Sequence, residues 1–126
     1  MPTIAKIIWT VGFLIGTTTH LIDIWMGGWL PYEFRPIGFN IYWTSLVFLD
    51  PLAVVLIWAR ERWGVVLGVA VMASDVLVNG YTAFVAGHTE FYTSLALQSV
   101  FAAFVFFTAW EHWRKDNGMQ DRKANE

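Results

Sequence analysis

Four long apolar segments constrain the fold of this chain more than any other feature. They cover about residues 4–26, 40–59, 63–86 and 91–112. Each approaches the roughly 20 residues that a helix needs to cross a hydrocarbon core of about 30 Å. Hydrophobic residues make up 56% of the chain and charged residues only 14%, unlike the composition of an average soluble protein. The sequence therefore predicts an all-α, polytopic membrane protein, a bundle of four transmembrane helices.

Tryptophan positions support the same four spans. The indole ring prefers the headgroup interface of a membrane, where its N–H stays hydrated. All eight tryptophans fall near predicted span ends: Trp9, Trp25, Trp29, Trp43, Trp58, Trp63, Trp110 and Trp113. A water-soluble bundle has no reason to keep tryptophan out of every helix centre, so this pattern favours a membrane bundle.

Positive charge is concentrated on one side of the predicted bundle. Lys6, Arg60, Arg62, Arg114, Lys115, Arg122 and Lys123 fall on that side, and Arg35 stands alone on the other. By the positive-inside rule, both termini are expected to be cytoplasmic. We therefore expect a multi-pass protein of the bacterial inner (plasma) membrane. Its membrane domain covers residues 1–115, and a polar cytoplasmic tail, expected to be frayed, covers residues 116–126.

The connections between the spans differ in character. The turn around Arg60 is short, so spans 2 and 3 are expected to be antiparallel neighbours. The connection over residues 27–40 contains helix-breaking prolines and glycines, yet it also carries several aromatic side chains. We expect this connection to lie in the outer interface as a lid.

Spans 1 and 3 share a pattern of small and polar residues. Gly12, Gly16, His20 and Asp23 have the same spacing as Gly64, Gly68, Met72 and Asp75, and that spacing follows one helical face. Duplication of a helical hairpin explains the pattern, and so does coincidence among glycine-rich spans. In either case the two Gly-x-x-x-Gly faces predict close packing of span 1 against span 3.

Strongly polar side chains are confined to the middle and the outer half of the predicted spans. They are His20, Asp23, Asp50, Asp75, Asn79 and Gln98. An ionisable residue at this depth costs at least about 2.5–3.5 kcal/mol on insertion scales, so it normally faces the bundle interior. We predict that these six residues line an intramembrane pocket that opens to the outer side and binds a ligand.

The charges of this cluster restrict its chemistry. It holds three carboxyl groups and one imidazole with no lysine or arginine at the same depth, so it could hold a proton, a metal ion or an amine. Pro51 follows Asp50 and leaves the carbonyl of Val47 without its helical donor, which makes either a polar niche or a tolerated kink. A purely structural alternative is that these side chains only hydrogen-bond between helices.

Several cofactors and partners are disfavoured. Bis-histidine haem needs two imidazoles at similar depth, whereas His20 and His112 fall at opposite ends. His20, Asp23, Asp50 and Asp75 supply enough donors for zinc on paper, but no metalloprotease-type spacing supports it. The chain has no cysteine, which excludes thiolate chemistry and cysteine-ligated metals. We expect no cofactor, no metal and, without a basic cluster, no nucleic acid partner.

Two segments carry a resemblance to a known group of proteins. SLVFLDPL at residues 45–52 and DVLVN at residues 75–79 resemble the SLxxLDPL and DVxxN segments of small bacterial four-span membrane proteins without an assigned activity. The resemblance covers most of the chain. It implies the four-helix integral membrane fold and no particular function.

A second resemblance involves the first span and the lid. His20 followed by Asp23, and a loop with Pro31 and Glu33, are similar to the EXPERA group, whose members bind or isomerise sterol-like lipids. This similarity implies lipid binding. The chain lacks the intramembrane glutamates of that group, which puts the isomerase activity in doubt.

The prediction is therefore binding of a membrane lipid, or of another lipophilic or cationic small molecule, in the outward-facing pocket. Enzyme activity stays open, since His20 and an aspartate would be able to exchange a proton with the ligand. One alternative is a proton-coupled small transporter, which would act as a homodimer. The other is a noncatalytic assembly partner of a larger membrane complex.

Overall fold

The computed structural model describes residues 1–126 and is helical throughout. The helices are α1 (Thr3–Gly27), α2 (Ile37–Ala59), α3 (Glu61–Gly80) and α4 (Tyr92–Ala124). A π-helical turn, Tyr81–Val85, continues α3, and a short 3₁₀-helix, Thr89–Phe91, precedes α4. The four helical segments are long and apolar enough to cross a membrane, which confirms the predicted all-helical fold with four long apolar helices.

Consecutive helices pack side by side around one core. Helix α2 lies against α1 and α3, and α4 lies against α3. The core contains Trp9 from α1, Leu46 from α2, Val65 from α3 and Val105 from α4, all fully buried. The backbones of α1 and α4 approach each other at few points. We call the line along which these two helices meet the α1–α4 seam, and it is the loosest contact between neighbouring helices.

The two ends of the bundle differ in charge. At one end, Glu61 pairs with Lys6 at 3.3 Å and with the amino group of Met1, and it faces Nδ1 of His112 at 3.6 Å. These contacts bring both chain ends and the α2–α3 turn together, so we call this the termini end. The opposite end carries residues 28–36, which we call the lid. Of the eight lysines and arginines, only Arg35 belongs to the lid end.

The outward surface of the helices is apolar. Large hydrophobic side chains point away from the bundle on every helix, including Ile15 (62% exposed), Val55 (60%), Leu77 (73%) and Val100 (73%). A water-soluble bundle avoids such a continuous exposed apolar surface. The pattern is typical of helices whose outer faces contact lipid.

Two of the eight tryptophans differ from the prediction. Six are exposed, but Trp9 and Trp43 are buried between helices. Trp9 Nε1 donates to Thr108 Oγ1 at 2.8 Å, and Trp43 Nε1 donates to Asn79 Oδ1 at 2.7 Å. Both lie near a helix start as expected, but a buried acceptor takes the place of water for the indole N–H.

The glycine faces do not pack α1 closely against α3 as predicted. Three of the four glycines instead make room for a large or polar side chain from another helix, and the fourth lies against the backbone of α2. The contacts are Gly12 with the Phe101 ring, Gly16 with the Asp50 carboxyl group, Gly68 with the Trp9 ring and Gly64 with Ile57. Small residues thus admit side chains here more than they bring helix backbones together.

Two helix ends also differ from the sequence prediction, while Pro51 lies inside its helix as expected. Helix α2 begins at Ile37 rather than at residue 40, directly after Pro36. Pro51 lies within α2, which continues on both sides of it. Helix α4 extends to Ala124, so the expectation of a frayed tail was wrong. Basic residues in the last turn of α4, Arg122 and Lys123, are favourable next to the negative end of the helix dipole.

Candidate functional site

The six predicted site residues divide into three places in the structure. His20 and Asp23 lie on α1 under the lid, where both contact Tyr32. Asp75, Asn79 and Gln98 form a hydrogen-bonded group between α3 and α4. Asp50 lies on α2 and faces α1 at Gly16.

Tyr32 joins His20 to Asp23. Its hydroxyl donates to Asp23 Oδ2 at 2.7 Å and lies 2.8 Å from His20 Nδ1. Burial, followed by the hydrogen bond to Asp23, raises the pKa of the Tyr32 hydroxyl well above its usual range, so the group stays a donor. Since its single proton goes to Asp23, Nδ1 of His20 must donate to the Tyr32 oxygen.

Asn40 anchors the backbone of the lid. The buried amide accepts from Tyr32 N at 3.0 Å and donates to Leu30 O at 2.8 Å. Leu30 has a left-handed backbone conformation, with φ of 56°, that is uncommon for leucine. The ring of Trp29 stacks on Phe48, with centroids 6.2 Å apart. The lid is therefore held to α1 and α2 by several independent contacts.

A chain of hydrogen bonds fixes one oxygen of Asp75. Trp43 donates to Asn79, Asn79 Nδ2 donates to Gln98 Oε1 at 3.0 Å, and Gln98 Nε2 donates to Asp75 Oδ2. Asp75 is 8% exposed, and its other oxygen, Oδ1, is buried without a hydrogen-bond partner. Buried polar atoms are normally satisfied, so Oδ1 marks a place for a proton or an added donor.

Asp50 is enclosed in a different way. Its residue is 5% exposed, and a Cβ placed on Gly16 would come within 2.5 Å of Asp50 Oδ2, so the carboxyl group occupies the space that glycine leaves. Asp50 lies on α2 and Asp75 on α3, two helices that pack side by side. Neither acid forms a salt bridge. The structure thus brings two acids from neighbouring helices together without a cationic side chain.

A pair of hydroxyl groups lies beside the acids. Tyr42 OH and Ser74 Oγ are 2.7 Å apart and join α2 to α3, the two helices that carry Asp50 and Asp75. Ser74 also contacts the carbonyl of Val71. The sequence prediction did not include either hydroxyl group.

Two clefts open on the surface of the bundle. One, of about 360 Å³, lies at the lid end and is lined by Asp23, Met26, Gly27, Pro31, Tyr32 and Phe34. The other, of about 560 Å³, lies at the termini end and includes Glu61, Phe107 and His112. Neither cleft contains all six predicted residues, and neither reaches Asp50 or Asp75. A molecule larger than a proton therefore meets the acid pair only when the lid or the helices part.

Several site residues were missed by the sequence reasoning: Tyr32, Asn40, Tyr42, Trp43 and Ser74. An amide in the otherwise apolar first turns of α2 was a signal for Asn40. Trp43 gave no such signal, because tryptophan near a span end is expected at the interface. The tyrosine hydroxyls could not be assigned partners without knowing which helices are neighbours.

The fold and these contacts define a class of protein, an all-helical bundle of four long apolar helices with two acids enclosed between them. No protein-family model, curated protein or solved structure matches this chain. The two resemblances drawn from sequence segments stay expectations. The function is therefore argued from the side chains alone.

Proposed function

We propose that the chain is a multi-pass protein of the bacterial inner membrane, with both termini cytoplasmic, that binds a lipophilic cation or amine at Asp50 and Asp75. The apolar outer surface and the four spanning-length helices support the membrane setting. The near absence of cationic residues from the lid end supports the orientation.

The observation that carries the proposal is the enclosed acid pair without a cationic partner. A carboxylate taken out of water without compensation is strongly unfavourable, so each state of the pair requires a proton or an added positive charge. A ligand with one cationic group and an apolar body supplies that charge and is compatible with the apolar residues around the pair.

The surrounding residues would divide the work. The Gln98 amide, oriented by Asn79 and Trp43, would hold one oxygen of Asp75 so that the unpartnered Oδ1 receives the ligand's donor. Asp50 would contribute the second negative charge from α2. His20 pairs through Tyr32 with Asp23, so its role would be to fasten the lid.

A second candidate, proton-coupled transport of the same cation, is favoured by irregular helix geometry next to the site. Pro51 follows Asp50 within α2, and the π-helical turn starts two residues after Asn79. Prolines and π-turns interrupt the regular helical hydrogen bonds, and such positions recur at functional sites that change shape. Exchange of protons for a cation on the two acids would then drive transport.

The test uses the purified protein in liposomes with radiolabelled tetraphenylphosphonium. The parent should bind the cation, and Asp50→Asn and Asp75→Asn should each weaken binding by at least about tenfold, since the bound cation loses a buried negative charge opposite it. Asp116→Asn, in the tail, is the matched control and should bind as the parent does.

The same liposomes separate the candidates. Uptake driven by an imposed pH gradient and abolished by Asp50→Asn or Asp75→Asn supports transport, whereas binding without uptake supports a binding protein. Native mass spectrometry identifies any lipid that copurifies. If the parent neither binds nor accumulates the cation and carries no lipid, both candidates are wrong and an assembly role is left.

A further inference from the structure

The α1–α4 seam is closed on its termini side by aromatic side chains. Trp9 donates to Thr108 across the seam, and the rings of Phe13 and Phe101 meet edge to face with centroids 5.5 Å apart. The Phe101 ring lies in the notch left by Gly12. On the lid side of Phe101, no hydrogen bond or aromatic pair joins α1 to α4.

The residues that contact the two acids lie about one helical turn from the Phe101 ring, toward the lid. On α1, Gly16, which contacts Asp50, follows Gly12 by four residues. On α4, Gln98, which contacts Asp75, precedes Phe101 by three residues. Residues three or four apart share a helical face. Gly16 and Gln98, which contact the two acids, therefore lie next to the Phe101 ring on its lid side.

The lid closes the other route more firmly. Opening it breaks the hydrogen bonds of Tyr32 to Asp23 and His20 and the two hydrogen bonds of Asn40, and it separates Trp29 from Phe48. Opening the seam next to the acids requires loosening only the edge-to-face contact of Phe101 with Phe13. The route with fewer contacts leads sideways, through the exposed apolar faces of α1 and α4.

We infer that the ligand of the acid pair arrives laterally from the bilayer between α1 and α4, on the lid side of Phe101, and that the packing of the Phe101 ring against α1 holds this seam closed. This inference rests on the proposed function and narrows its ligand class to amphiphilic cations that first partition into the lipid. A hydrophilic cation of equal charge has no such route.

Chemical labelling of the acids tests the route without knowledge of the natural ligand. In proteoliposomes, the apolar reagent N,N′-dicyclohexylcarbodiimide should modify Asp50 or Asp75, as located by peptide mass spectrometry, and a water-soluble carbodiimide should not. Phe101→Ala should raise the labelling rate by roughly fivefold to tenfold, the size expected for loss of a buried aromatic contact.

Further variants keep the test independent of one substitution. Gly12→Ala places a methyl group where the Phe101 ring lies and should also speed labelling. Phe101→Leu is the milder replacement if Phe101→Ala fails to fold. Val100→Ala changes a neighbouring lipid-facing residue and should match the parent, as should Tyr32→Phe, which loosens only the lid.

Faster labelling in Tyr32→Phe, without faster labelling in the Phe101 and Gly12 variants, would overturn lateral access. Equal labelling of the acids by both reagents would also overturn it. So would the absence of labelling in every variant. The cation-binding test decides the proposed function separately. Binding that depends on Asp50 and Asp75, combined with one of these labelling results, would leave the function standing and remove only the route.

Discussion

At the level of single residues, Asp50 depends on the absence of a side chain at Gly16. The carboxyl group lies where a Cβ would be, and no protein donor holds it there. Asp75, in contrast, has an amide partner on one oxygen. The two acids are thus positioned by different means, one by space and the other by a hydrogen-bond network, and the two means can be disturbed separately.

Gly16→Ala should disturb Asp50 through space. The added methyl group overlaps the carboxyl group, so we expect a loss of about 1–3 kcal/mol in the free energy of unfolding, as for other overpacked sites, together with weaker cation binding. Unfolding in mixed detergent micelles measures the first effect. Gly80→Ala, whose methyl group would meet nothing within 4 Å, is the control and should be neutral or slightly stabilising.

Trp43→Phe should disturb Asp75 through the network. It leaves Asn79 Oδ1 without its donor, and an unsatisfied buried acceptor costs about 1–3 kcal/mol of unfolding free energy. Trp25→Phe, at a ring that is 88% exposed, controls for the change of ring and should have little effect. Equal stability of the two variants would show that the Trp43 hydrogen bond does not support the network.

The sequence was enough to identify the two buried acids, but not the residues that they contact. Asp50 and Asp75 were identifiable because a charged side chain is costly in an apolar span. The partners of these acids, Gln98 and Gly16, are set by which helices are neighbours and by their rotation, and neither follows from spacing along one helix.

At the level of elements, the lid is held by a small set of side-chain contacts with α1 and α2. Tyr32 inserts between His20 and Asp23, and Asn40 holds the backbone. The composition of residues 27–40 predicted a lid, because prolines and glycines end helices while aromatic side chains favour an interface. The inward direction of Tyr32 depends on contacts with α1 that the composition does not show.

Tyr32→Phe should loosen the lid without unfolding the bundle. Loss of the hydroxyl removes both side-chain hydrogen bonds of Tyr32, so amide hydrogen exchange over residues 28–36 should rise by roughly tenfold while the helix interiors stay protected. Tyr92→Phe removes a hydroxyl without side-chain partners and should leave exchange in the lid as it is. Unchanged exchange in Tyr32→Phe would mean that Asn40 and the aromatic contacts suffice to hold the lid.

Length and hydropathy were enough to predict the four helices, but they did not predict how the helices pack. Four apolar runs of spanning length led to four helices. The Gly-x-x-x-Gly faces suggested contact between α1 and α3, but glycine only provides space, and here the Phe101, Asp50 and Trp9 side chains occupy it. The extension of α4 over residues 116–124 lies in a polar segment, so a hydropathy pattern does not register it, and the weak helix formers Asp116, Asn117 and Gly118 do not predict it either.

At the level of the whole molecule, the bundle combines an apolar outer surface with unequal charge at its two ends. Both features follow from composition, since side chains that contact lipid need no particular partner. The proposed orientation puts the lid on the outer face of the inner membrane and the termini in the cytoplasm.

Single introduced cysteines test this orientation in a chain that has none of its own. Glu33→Cys, in the exposed lid, should react with an impermeant maleimide on intact spheroplasts. Asp121→Cys, in the exposed part of α4, should react only after the membrane is permeabilised. The reverse pattern would invert the topology, and labelling of both sites in intact spheroplasts would contradict the four-span arrangement.

The most direct test of the central claim, that Asp50 and Asp75 form one cation site, is a double-mutant cycle. It measures the affinity for tetraphenylphosphonium of the parent, Asp50→Asn, Asp75→Asn and the double variant. If both acids contact one bound cation, the double variant should bind little more weakly than either single variant, so the single losses do not add. Fully additive losses, or a parent-like affinity in either single variant, would contradict a shared site.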